Sequence, residues 1–224
     1  MDKEKAYRKL VSQRKECSLC NPLGLTNPSA ESLVLFDSDQ IGPWTRWQGN
    51  LDAKLMVIGQ DWGDISYFQR HQGGDDPHNR TNEKLGELLR SIGFELPPAS
   101  TQEGGRGVIF MTNAVLCLKN AGGLGAPVKT SWFRNCGARF LKPTIEIVSP
   151  QAVVTLGRYA YFTLRCFFNL PNLTYREAVN RKEGFILSGE TIYFPMYHCS
   201  QRVLNTHRSP VEQEIDWQKL TTVL

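Results

Sequence analysis

Four places in the chain hold side chains that could do chemistry together. The segment Gly59-Gln60-Asp61-Trp62-Gly63-Asp64 carries an amide and two carboxylates on a glycine-bounded turn. Asn113 adds a second amide, and His198-Cys199-Ser200, followed by Arg202, Asn205 and Arg208, adds an imidazole with bases nearby. An acid, an amide and an imidazole in one pocket could read a polar heterocycle and assist its departure. A carboxamide offers donors and an acceptor that match an imide edge. An imidazole N–H can stabilise an oxygen that becomes negative, and a carboxylate can orient or deprotonate water. Taken alone, Asp and Gly after a strand are also ordinary turn formers, so the case rests on the combination.

The fourth place is the cysteines. Cys17-Ser18-Leu19-Cys20 is a CxxC, while Cys117 and Cys136 follow much later. In a reducing compartment, clustered cysteines bind metal or do redox chemistry more often than they form disulfides. Cys166, in an apolar helical stretch, reads as a core residue. Cys199 beside His198 reads either as a nucleophile or ligand, or, preferred here, as a small buried residue that shapes its loop.

These groups need strands to carry them. Leu55 to Gly59, Val108 to Asn113, Ala152 to Gly157 and Thr191 to His198 are short, nearly continuous apolar runs, as expected of strands buried on both faces of a parallel sheet. Between them, Asn82 to Ile92 and Trp132 to Val148 place apolar residues at helical spacing. Ser209-Pro210-Val211-Glu212 is a capping box that opens a terminal helix through Trp217. The alternation predicts a three-layer α/β/α sandwich around a short, mainly parallel four-stranded sheet, in a single domain over residues 1–224. In such sheets the working loops lie beyond the carboxyl ends of the strands, where Gly59 to Asp64, Asn113 and His198 to Arg202 all fall.

Composition sets the class. With 224 residues, 41% of them hydrophobic, and a net charge of +4, the chain is neither disordered nor fibrous, and it can bury a core without disulfides. No run of about 18 apolar residues appears, so no membrane partner is expected, and a reducing cytoplasm is the expected compartment. Between Gly104 and Ile145 stand Arg106, Lys119, Lys129, Arg134, Arg139 and Lys142 with no acid, and His198 to Arg208 is also acid-free. Such stretches suit a polyanion such as nucleic acid, though an ordinary solvated surface has the same composition.

Together these motifs resemble the uracil-DNA glycosylase superfamily. Gly59-Gln60-Asp61 is similar to the first motif of its best-known, cluster-free branch. Met111-Thr112-Asn113 sits where the superfamily keeps its base-reading Asn. His198-Cys199-Ser200 with Asn205, Thr206 and Arg208 is similar to the His-Pro-Ser loop that enters the minor groove. The stretch from Cys136 to Leu164 and the order of the cysteines resemble the iron-sulfur branches. The likeness spans roughly Cys17 to Trp217.

The resemblance implies a monomeric DNA glycosylase of base excision repair that hydrolyses the N-glycosidic bond of uracil or a related deaminated base. Asp61 would activate water, with Asp64 as the alternative carboxylate, and His198 would stabilise the leaving base. Gly59, Gln60, Trp62 and Asn113 would bind the base; Ser200, Arg202, Asn205 and Arg208 would hold the DNA. Cys17, Cys20, Cys117 and Cys136 would carry a [4Fe-4S] cluster, with zinc as the rival. Several features depart from the pattern: Trp62 and Cys199 stand where Pro is usual, Asp61 stands where many iron-sulfur branches have Ala, and the base-stacking Phe has no clear match, which leaves Trp62, Tyr67, Phe68 and His78 as candidates to stack on the base. Alternatives within the superfamily are specificity for hypoxanthine or xanthine, or covalent bonding to DNA through His198. Outside it, the alternative is a non-catalytic cluster protein that binds nucleic acid.

Overall fold

The computed structural model describes residues 2–31, 50–73, 76, 78–95, 109–122 and 127–224. The expected surface base Arg106 and Val108, the first residue of the second expected strand, lie outside the described residues. Helix α1 (Lys3–Lys15) starts at Asp2, whose carboxylate accepts from the Lys5 amide, and leads through the CxxC to the two-residue strand β1 (Leu25–Thr26). There follow β2 (Leu55–Gly59), α2 (Ile65–Arg70), α3 (Arg80–Ser91), β3 (Ile109–Asn113) and β4 (Leu118–Lys119). Helix α4 (Thr130–Cys136) passes through a π-turn over Gly137–Leu141 into α5 (Lys142–Val148). The chain then gives β5 (Ala152–Leu156), α6 (Arg158–Phe167), α7 (Tyr175–Asn180), β6 (Phe185–Ser188), β7 (Thr191–Met196), α8 (Gln201–Thr206) and α9 (Pro210–Gln218).

The main sheet has the order β3-β2-β5-β7-β6, parallel except for β6. It therefore has five strands where the sequence pattern predicted four. The extra strand, β6, is a half-buried edge strand: Phe185 and Leu187 face inward, while Ile186 is largely exposed. An isoleucine on the solvent side hid the period-2 signal.

The inner strands are buried on both faces, which explains their unbroken apolar runs. Met56, Ile58, Phe110 and Val153 pack on one side with residues of α1, α4, α5 and α6; Leu55, Val57, Met111 and Val154 pack on the other with α3 and α9. The fold is a three-layer α/β/α sandwich. At Gly137 a Cβ would run into the Phe167 ring and Thr163, so this glycine lets the π-turn press against α6. Cys166 on α6 is exposed, not in the core. The buried face of that helix is formed by Ala160, Tyr161, Thr163 and Leu164, and helical spacing turns Cys166 away from it.

Candidate functional site

The carboxyl ends of β2 and β3 lie side by side, with Gly59 opposite Asn113 in the register. A Cβ at Gly59 would overlap Oδ1 of Asn113, so glycine is what makes room for that amide. Asn113 is 1% exposed, and its Nδ2 has no hydrogen-bond partner among the described residues. An unmatched buried amide of this kind costs roughly 1–3 kcal/mol, which a bound acceptor would recover.

Beyond β2 the turn folds back on Asp61. The Gln60 side-chain amide donates to Oδ2 of Asp61 at 2.7 Å, and the Gly63 amide donates to Oδ1 at 2.9 Å. The Lys119 ammonium lies 3.2 Å from the same Oδ1, with the two side chains only 2% and 6% exposed. An ionised carboxylate can accept about four hydrogen bonds, so three donors leave it one acceptor position, on Oδ2. Lys119 contributes nothing to a surface basic patch. The ribbon β1–β4 carries it inward, where it meets an acid from another strand.

Asp64 has a different task. It caps α2 by accepting from the Tyr67 amide at 2.9 Å and is itself buried. Trp62 packs edge-on against Phe68 in a small cluster with Leu118. Phe68 is 1% exposed, inside that cluster, while Tyr67 packs on His71 and its hydroxyl accepts from the Asp76 amide. His78 is exposed at the surface.

His198 follows β7 and sits beside Gly157, the residue after β5, whose φ of +93° suits glycine. The Ser200 amide donates to Nδ1 of His198 at 3.1 Å, and the Gln213 side chain donates to the His198 carbonyl. Burial lowers the His198 pKa, against a smaller opposite effect of the Asp61 charge, so the two groups lie within electrostatic reach of each other. With Nδ1 accepting, the neutral ring carries its proton on Nε2. Cys199 is fully buried, and burial pushes its thiol up to about 12. It is a packing residue, as its size suggested, and not an ionised nucleophile.

Helix α8 stands clear of the core, with Arg202 and Asn205 exposed. The Gln201 side chain donates to Asn205, and the Ser200 hydroxyl makes no capping bond to the helix. Arg208 is placed otherwise. It donates twice to the buried Asp216 carboxylate at 2.8 Å and also faces Glu212. The acid-free run His198 to Arg208 thus borrows its counter-charges from α9, and the Arg208 guanidinium ties α8 to that helix.

The four cysteines expected to act together do meet: Cys17, Cys20, Cys117 and Cys136 line one cavity with Arg14 and Asn135. Asn135 donates to the Cys20 sulfur at 3.4 Å. Burial first, then the neighbouring Cys136, Cys17 and Cys20, pushes the Cys117 thiol well up. Burial likewise raises Cys136 to about 12. Among the described residues, no three His, Cys, Asp or Glu side chains converge closely enough for a single metal ion. Four thiols around one cavity are, by their chemistry, a donor set that an iron-sulfur cluster or a zinc ion could take. Arg14, 1% exposed and bonded to Asn27 and Ser29, lowers the Cys117 thiol against these effects and could offset the charge of such a group.

Sequence reading missed Lys119 and Gln213. Lys119 belongs by sequence to an acid-free basic stretch, and only its place after the continuous apolar run Ala114-Val115-Leu116-Cys117-Leu118 hints at burial. Gln213 lies on the inward face of α9 and gave no local signal. A model of the Uracil DNA glycosylase superfamily matches residues 47–221, more than half of the chain, and the chain belongs to that superfamily. Membership of that superfamily supports a DNA glycosylase-like function in general. Among the described residues, no helix is long and apolar enough to cross a membrane.

Proposed function

We propose that the protein excises uracil, or a related deaminated base, from DNA by hydrolysing the N-glycosidic bond. The observation that carries this reading is the unpartnered Nδ2 of Asn113, buried at the same sheet edge that presents Asp61 and His198. A carbonyl of an imide edge would meet that N–H, while the Asn113 Oδ1 would accept from the ring N–H. The base must first leave the helix, at a cost that is least for a mispaired base. Exposed Arg202 and Asn205, with the Ser200 hydroxyl, are suited to hold the distorted strand.

As the bond breaks, its electron pair leaves with the base and the sugar becomes cationic. The Nε2–H of His198 donates to the base oxygen where that negative charge gathers. Asp61 balances the cationic sugar and holds water at its remaining acceptor position. The water oxygen bonds to the anomeric carbon and its proton passes through the carboxylate to base or solvent. Asp64, engaged as a helix cap, is the less suited carboxylate.

Cys17, Cys20, Cys117 and Cys136 would hold a [4Fe-4S] cluster, and that group would fasten the N-terminal segment to the chain around β4 and α4. It would supply no step of the hydrolysis. Binding of such a group would need these thiols as thiolates, since metal ligands must be deprotonated.

The test is incubation of the purified protein with oligonucleotides containing uracil, hypoxanthine or xanthine, single-stranded and duplex, followed by alkaline cleavage of abasic sites. Cleavage at uracil is expected. Cleavage at a purine alone would shift the substrate, and binding without release of any base would overturn the enzymatic reading.

A further inference from the structure

Lys119 is a buried cation with a fixed address. Its backbone amide donates to Gly63 of the Asp61 turn at 3.1 Å, and its strand β4 pairs with β1, the segment after the CxxC. Both ends of the local structure are thereby tied down: Asn120 donates to the Gly24 carbonyl, and Val115 donates to the Gln60 carbonyl. The ammonium consequently reaches Asp61 from a paired ribbon whose strand β4 starts immediately after Cys117. Desolvating both charges of this pair is costly and is offset only by close pairing and further hydrogen bonds, as the Gly63 and Gln60 donors to Asp61 supply.

We infer that Lys119 is a positioning residue for hydrolysis, which holds the Asp61 carboxylate turned so that Oδ2 faces the reacting sugar. This rests on the proposed glycosylase reading. Gly63 N–H and Lys119 together occupy Oδ1, while Gln60 takes one position of Oδ2. Without the ammonium, Oδ1 is held by a single neutral donor, and the carboxylate can rotate. Lys119 itself touches no substrate, so DNA binding does not depend on it. Among the described residues, the other titratable groups near the pair include His198, after β7, and Asp64, which is committed to its cap.

The experiment compares the full-length protein with Lys119→Met, Lys119→Arg, Asp61→Asn and the Asp61→Asn/Lys119→Met double variant. Single-turnover excision and DNA affinity are measured separately. Lys119→Met should cleave on the order of 100-fold more slowly, as misplacement of a reacting group does, with unchanged affinity. Lys119→Arg should recover most of the rate, and the double variant should be no slower than Asp61→Asn alone. Wild-type cleavage by Lys119→Met, or full addition of the two losses, overturns the inference.

Thermal unfolding supplies a second arm should Lys119→Met fold poorly. The double variant should melt higher than Lys119→Met, because it no longer buries a lone carboxylate. A double variant that melts no higher shows that the ammonium does not serve Asp61. If wild-type protein releases no base at all, the glycosylase reading fails while this unfolding comparison still decides the pairing.

Discussion

The Lys119 ammonium stands 3.2 Å from Oδ1 of Asp61, with both side chains withdrawn from solvent. A base from a stretch that looks like exposed positive charge is thus spent on an acid of the site. The same turn gives Asp64 to a helix cap, so two carboxylates three residues apart have separate tasks.

The Gly59 and Asn113 pairing makes a specificity prediction. Asn113→Asp exchanges an amide donor for an acceptor, so it should lose uracil excision and gain activity toward cytosine, whose amino group can donate. Gly59→Ala should push the same amide aside and lower uracil excision by roughly 100-fold, with the fold intact. Steady-state rates on matched uracil and cytosine oligonucleotides, alongside circular dichroism, check both.

How much of this was legible in the sequence depends on where each signal lives. Gly59 to Asp61, Asn113 and His198 lie at ends of apolar runs, and the strand period exposes such ends directly. The cap at Ser209 was legible because a capping box is local, and the Ser209 and Glu212 side chains do bond reciprocally with the backbone. The ion pairs of Lys119 and Arg208 were not legible because burial and pairing are tertiary facts. Their partners, Asp61 and Asp216, are 58 and 8 positions away in the sequence. The edge strand β6 escaped because the exposed Ile186 broke its alternation.

The two arginines around α8 should separate binding from stability. Arg202→Ala, on an exposed helix, should weaken DNA affinity for any sequence and lower the salt dependence by about one counterion. Arg208→Ala should instead lower the unfolding free energy by about 2 kcal/mol, because it removes one partner of the buried Asp216. The loss is moderated by Lys219, which still pairs with Asp216. Fluorescence anisotropy across salt concentrations and urea unfolding distinguish the two.

His198 predicts a pH dependence of stability. Burial holds its pKa below the usual 6.5, so the folded protein binds fewer protons at this site than the unfolded chain. The stabilisation is complete above pH 6.5 and is lost as pH falls toward and through the lower folded value. Replacing His198 with Gln should flatten the denaturation midpoint over that interval. An unchanged slope would mean another group governs it.

The cysteine cavity predicts a coloured protein. Material purified without oxygen should be brown and contain about four iron and four sulfide per chain. Cys17→Ser or Cys136→Ser should lose the colour and much of the solubility. One zinc with neither iron nor sulfide would contradict the cluster and leave the carboxylate, amide and imidazole argument standing.

The central claim is that Asp61 and His198 act on the glycosidic bond of a flipped uracil. Its most direct test is single-turnover excision from a uracil-containing duplex by wild type, Asp61→Asn and His198→Ala, with dissociation constants measured on the same DNA. Each substitution is predicted to slow excision by roughly 100-fold or more, the range of a lost acid-base or oxyanion-stabilising group, while affinity stays within about twofold. Excision at the wild-type rate by both variants would contradict the account.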